Sequence, residues 1–225
     1  SCLFRGSFEG AEGKWQNRIA KVPKLLPLEC KNYLELIDPG TYDLFICQPS
    51  NPWLAGVSNL FTREFFALGK SRLKEGGIWS QWIQLYGMDY QDLQALLSAF
   101  VESFPHTVIF STIDDADVVL VGSDRPLPLD AARARALFEN PEVSAQLAEV
   151  EIEDAFALLT RFLLSEQDLV EIVEGVTPNS DDNMRVEFNA PRQVHEWTAH
   201  QNHLELLRVA EVPEPVTTFP SSFIS

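Results

Sequence analysis

The chain has 225 residues, 45% of them hydrophobic, enough to bury a core in one large domain or two small ones. A formal net charge of -16 argues against nucleic acid, whose phosphates need clustered Lys and Arg, and favours cationic ligands or plain solubility. Cys2, Cys30 and Cys47 form neither a paired framework nor a metal-ligand spacing; no apolar run approaches the roughly eighteen residues of a membrane span, and no signal pattern opens the chain.

Residues 1–24 are polar, with Gly6, Gly10 and Gly13 but no G-x-G-x-x-G after a strand, and read as loop or as a short helix around 15–20. Residues 25–28 suggest a short strand that Pro27 confines to an edge or an end. Residues 29–36 suggest a helical turn, apolar at Tyr33, Leu34 and Leu36 and stopped by Pro39-Gly40. The apolar run 44–47 is too short for a helix and halts at Gln48-Pro49, as a strand buried on both faces does when it empties into a loop. Ligands of open α/β sheets sit at such carboxyl ends, which makes Gln48, Ser50, Asn51 and Trp53 site candidates against the alternative of a plain strand-to-helix connection.

Leu60, Phe61, Phe65, Leu68 and Leu73 give residues 59–73 the spacing of an amphipathic helix, with Ser58 or Asn59 as cap and Gly76-Gly77 as stop. A second strand follows at 78–83 and a second helix at 89–104. Two β-branched runs, 107–110 and 118–121, are close enough for an antiparallel hairpin. Alternating strand and helix implies parallel crossovers, so the expected class is α/β: the second half of an S-adenosylmethionine methyltransferase-like (Rossmann-like) sheet. Beyond Pro126 the pattern becomes helical, at 130–138, 142–148, 154–164 and 165–174, which predicts a helical extension over 126–192. Within it, 178–191 reads as a loop with an extended 186–188. A terminal helix within 193–210 and a poorly ordered tail over 211–225 complete the reading.

Certain residues together resemble a family. Tyr42-Asp43-Leu44-Phe45-Ile46, Gln48-x-Ser50-Asn51-Pro52, Ser58-x-Leu60-Phe61-Thr62-x-Glu64-Phe65-Phe66 and Leu73-x-x-Gly76-Gly77-Ile78-x-x-Gln81-Trp82 look like the core of the polyamine aminopropyltransferases, spermidine synthase and its relatives. The Pro49-Ser50-Asn51-Pro52-Trp53 loop and Ser180-Asp181-Asp182 are closest to the branch often fused to a multi-pass membrane region. The resemblance spans about residues 25–192. It implies that Glu29 stands where an acidic residue contacts the nucleoside adenine, and Gln48 where the catalytic acid takes a proton from the amine. It also places Asn51 where a second acid holds the amine, and Gln81 in the amine pocket. Trp53 and Tyr86 complete the substrate-side candidates. The implied co-substrate is decarboxylated S-adenosylmethionine, with no tightly bound cofactor and no metal.

Two departures weigh against activity. An amide such as Gln48 cannot accept a proton, and it removes negative charge that would hold a dication. The family's first strand with its glycine-rich loop, and its second strand with the ribose-binding acid, have no counterpart in residues 1–24. The expectation is therefore a degenerate, structural or interaction subunit. Either another chain, as partner or second copy, or a rebuilt N-terminal segment should complete the sheet, and the fused branch adds association with a membrane protein. The alternative is a transferase completed by a partner. Other motifs are weaker: Ser50-Asn51-Pro52-Trp53 lacks the second proline of the amino-group DNA methyltransferase loop. His195 and His200 are one residue too far apart for a zinc-protease helix, and His200 with His203, like Asp181-Asp182, fits a solvated helix or a cap better than an ion site.

Overall fold

The computed structural model describes residues 2–6, 27–112, 116–193 and 195–210; the expected helix at 15–20 and the tail at 211–225 lie outside them. Six strands form one sheet: β1 (Cys2–Gly6), β2 (Tyr42–Cys47), β3 (Leu73–Gln84), β4 (His106–Ser111), β5 (Asp117–Ser123) and β6 (Phe162–Leu164), in the spatial order β1-β2-β3-β5-β4-β6. Strands β2 and β3 run parallel, with Phe45 beside Trp79 and Cys47 beside Gln81. Strand β5 lies antiparallel between β3 and β4. This is the arrangement expected of the second half of a methyltransferase-like sheet, and the fold is α/β.

Strand β1 pairs antiparallel with the edge of β2, from Cys2 beside Cys47 to Gly6 beside Tyr42. Residues read as loop in the sequence thus form a strand, because the backbone donors and acceptors along β2 need partners on both sides. Of the two ways expected to cover that edge, the N-terminal segment of the chain itself provides the pairing.

Helices α1 (Pro27–Glu35), α2 (Arg63–Arg72) and α3 (Tyr90–Ser103) accompany these strands. Pro27 and Leu28 lie in α1 and not in the strand expected over 25–28, whose residues 25 and 26 lie outside the described ones; the proline ring fixes φ near the helical value. The helix expected over 59–73 is divided. A 3-10 turn, Ser58–Phe61, ends at extended Thr62, whose hydroxyl accepts from the Phe65 N–H and starts α2. So Thr62 is the cap, not Ser58 or Asn59. The helix stops at Arg72 as Leu73 enters β3, and Gly76 (φ +73°) and Gly77 lie inside that strand, where the pairing with β2 shifts register.

Alternation along the strands puts Phe45, Cys47, Trp79, Gln81, Ile83, Ile109, Val118 and Leu120 on one face, all buried. Trp79 is fully buried there, stacked on Phe45 at 3.8 Å and 14° and met edge-on by Phe65 and Phe66 of α2. Gly69 permits that approach, since a Cβ on it would lie 1.9 Å from the Trp79 ring. The opposite face carries Ile78, Ser80, Trp82, Val119 and Val121, all half-buried.

Farther on come α4 (Ala131–Phe138), α5 (Pro141–Ala148), α6 (Ala155–Leu159), α7 (Glu166–Val173), α8 (Arg185–Asn189) and α9 (Ala199–Leu207). Two readings are corrected here. The helix expected over 154–164 ends at Leu159. Phe162–Leu164 is strand β6, drawn onto β4 by burial of Leu164 and a Phe110–Phe162 ring contact at 5.8 Å. The extended 186–188 is helix α8, because the side-chain oxygens of Asn183 and Asn179 accept from the Arg185 and Val186 N–H groups and nucleate a turn. Helix α8 is tied to α3 by Arg185 Nε donating to Asp92 at 2.9 Å; Asp92 is 1% exposed, and burial raises its pKa against the pull of Arg185.

Candidate functional site

The carboxyl ends of β2 and β3 open on the same end of the sheet. From β2 the chain runs into Gln48, which is exposed, and then into a turn in which the Asn51 carbonyl accepts from the Leu54 N–H at 3.1 Å. Pro52 and Trp53 fold back into the protein, leaving Ser50 exposed and Asn51 half-buried. Trp53 is 8% exposed and packs directly against Gly87, where a Cβ would come within 2.5 Å of its ring. Gly87 has φ +69°, so both its conformation and its neighbour require glycine.

Trp53 meets Tyr86 edge-to-face at 6.1 Å and 72°, and Tyr86 stacks on Trp197 at 5.7 Å and 5°. Three rings from three separate stretches therefore converge beyond the end of β3. Tyr86 and Trp53 were sequence candidates; Trp197 was not, because nothing local in its sequence connects it to a loop more than a hundred residues away.

Gln81, expected in the amine pocket, lies inside the protein. It is fully buried on the helix-covered face, with Oε1 accepting from the Trp79 indole N–H at 3.1 Å and Nε2 donating to the Trp82 carbonyl at 3.3 Å. Both ends of its amide are engaged inside the protein. Of the remaining candidates, Glu29 lies in the first turn of α1.

Sequence reasoning missed the pair that stands out in their place. Gln84, the last residue of β3, is fully buried, and neither Oε1 nor Nε2 has a hydrogen-bond partner. Directly across on β5 is Asp117, 9% exposed, with Oδ1 likewise unpartnered. Directly paired antiparallel residues point to the same side, so amide and carboxylate share the face that carries Trp82. Burial raises the Asp117 pKa, offset in part by a hydrogen bond from the Trp82 side chain. The Tyr86 hydroxyl is raised by its own burial and by the Asp117 charge. A Gln at a strand's last position is the one sequence signal that pointed here, and the Gln81-Trp82 motif drew attention three residues too early.

The arrangement offers hydrogen-bond acceptors, one amide donor and aromatic walls. It lacks a base at the end of β2, and among the described residues no group of three His, Cys, Asp or Glu side chains is placed to hold a metal ion. Among the described residues no helix is long and apolar enough to cross a membrane.

No protein-family model matches the sequence, and no curated protein matches it. Among solved structures the chain is similar to a probable spermidine synthase from Corynebacterium glutamicum ATCC 13032, with 16% identity and a TM-score of 0.46. The match covers 67% of this chain and 51% of that one, so the chain spans about half the length of that structure.

Proposed function

We propose that the chain is a spermidine synthase-like domain that has lost catalysis and serves as a structural or interaction subunit. The observation that carries this reading is the end of β2: where an aminopropyl transfer needs a carboxylate to take a proton from an ammonium, the strand delivers the amide of Gln48. Two further features support it. Gln81, the amine-pocket glutamine by resemblance, is engaged with Trp79, and β1 lies antiparallel on the edge of β2, where the family has a parallel strand leading into its glycine-rich nucleoside loop.

The alternative is an aminopropyltransferase, or a related S-adenosylmethionine-dependent transferase, completed by a partner chain. It is favoured by the unpartnered buried atoms of Gln84 and Asp117, which call for a bound group, and by an acidic chain suited to amines. Incubating the purified chain with putrescine and decarboxylated S-adenosylmethionine separates the two. The degenerate reading expects no spermidine, since loss of a general base alone commonly costs about 10²- to 10⁴-fold. Turnover by the chain alone refutes it.

A further inference from the structure

Helices α4, α5 and α6 make a shell around an unfilled space. Their own small core consists of Ala134, Ala155 and Leu159, two of the three being alanine, and α5 buries none of its residues. The sequence of α4, Ala131-Ala132-Arg133-Ala134-Arg135-Ala136, explains this: it sets methyl groups where the main core sets Phe and Trp. What remains between α4, α6 and the Phe110 end of β4 is an open groove of about 710 Å³, walled by Phe110, Leu129, Leu137, Val143 and Leu158. That volume falls within the roughly 300–1,000 Å³ of small-molecule sites.

Three polar residues border the otherwise apolar groove: Asp130, Arg133 and Asn140. Asp130 Oδ1 caps α4, accepting from the Ala132 and Arg133 N–H groups, and Asn140 Oδ1 caps α5 by accepting from the Glu142 N–H. That leaves the Asn140 amide N–H₂ as a donor. Arg133 is exposed and makes no ion pair or side-chain hydrogen bond among the described residues, while one oxygen of the neighbouring Asp130 carboxylate is held by the start of α4. A guanidinium left unmatched beside an apolar wall is complementary to a carboxylate on an apolar body.

We propose that this groove binds a single-chain amphiphile with an anionic head, a medium-chain carboxylate, its tail along Phe110, Leu137 and Leu158 and its head on Arg133 and Asn140. The groove starts one strand over from the Gln84–Asp117 pair, since Phe110 pairs with Val119 two residues from Asp117, but neither Gln84 nor Asp117 lines it, and the proposal stands whether or not the chain is an enzyme. Bulkier residues at Ala134 and Ala136, which line it, would narrow the groove.

Calorimetric titration of the full chain with octanoate, decanoate and dodecanoate, each below its micelle concentration, tests the proposal, with decanol and decylammonium as head-group controls. Saturable one-to-one binding should tighten about fourfold per added methylene. Decanol should bind about five- to tenfold more weakly than decanoate, and decylammonium more weakly still. Arg133→Gln should weaken decanoate by the same factor and leave decanol unchanged, a difference that a folding defect would not produce. Ala136→Trp should fill the groove and abolish binding of both with the circular dichroism spectrum preserved. Absence of saturable binding, affinity independent of chain length, decylammonium binding as tightly as decanoate, or an Arg133→Gln variant indistinguishable from the parent would each overturn the proposal.

Discussion

Replacing Gln81 by Met tests whether that residue serves the core or a pocket. Met has a similar unbranched shape and fills the same space, but it offers no strong acceptor to the Trp79 indole N–H, which is fully buried with Gln81 Oε1 at 3.1 Å. A buried donor left without a partner costs about 1–3 kcal/mol. The second bond, Nε2 to the Trp82 carbonyl at 3.3 Å, is longer, and Met's lower desolvation cost partly offsets its loss. The net expectation is a destabilisation of about 2 kcal/mol. For a domain of this size that lowers the melting temperature by about 4–8 °C, readable by circular dichroism, and Trp fluorescence should shift as the indole environment changes. A variant melting within about 1 °C of the parent, its Trp spectrum unaltered, would refute the core role and return Gln81 to the pocket.

Two further outcomes follow from buried charge. Asp117→Asn should stabilise the protein near pH 7: the folded-state pKa of Asp117 is raised, chiefly by burial, so its contribution is full below its unfolded pKa of about 3.9 and lost as pH rises through the folded value. Melting curves of variant and parent should therefore converge towards pH 4, and a gap that widens on acidification would contradict the account. Arg185→Ala should cost about 2–3 kcal/mol by stranding the Asp92 carboxylate, less than the roughly 3–5 of fully buried pairs because Arg185 stays 31% exposed. Adding Asp92→Asn should recover much of that loss in urea unfolding; a double variant no more stable than Arg185→Ala would show that the pair is not what joins α3 to α8.

The sheet was legible where hydrophobic period and turn chemistry agree. The runs around Phe45, Ile78, Ile109 and Val119 are β-branched or aromatic, each is bounded by breakers, and their pairing followed from connection length. What could not be read locally was set by tertiary contact. Phe162–Leu164 reads as the end of a helix until β4 offers an open edge. Cys2–Gly6 reads as loop until β2 needs a partner. Caps deceived as well: Ser58 and Asn59 have better capping chemistry than Thr62 on paper, yet Thr62 begins α2 because a 3-10 turn comes first. At the candidate site the aromatic members Trp53 and Tyr86 were visible, whereas Gln84 and Asp117 matter only because register sets them side by side.

The central claim, that the sheet is kept and the reaction lost, is tested most directly by calorimetry of the purified chain against methylthioadenosine, which reports on the nucleoside site without needing turnover. Strand β1 lies antiparallel on β2, where the family's nucleoside-binding strand would run parallel, and the predicted result is no saturable heat up to millimolar ligand. Saturable binding by the chain alone with a micromolar dissociation constant would contradict the account and make Glu29 the next residue to replace.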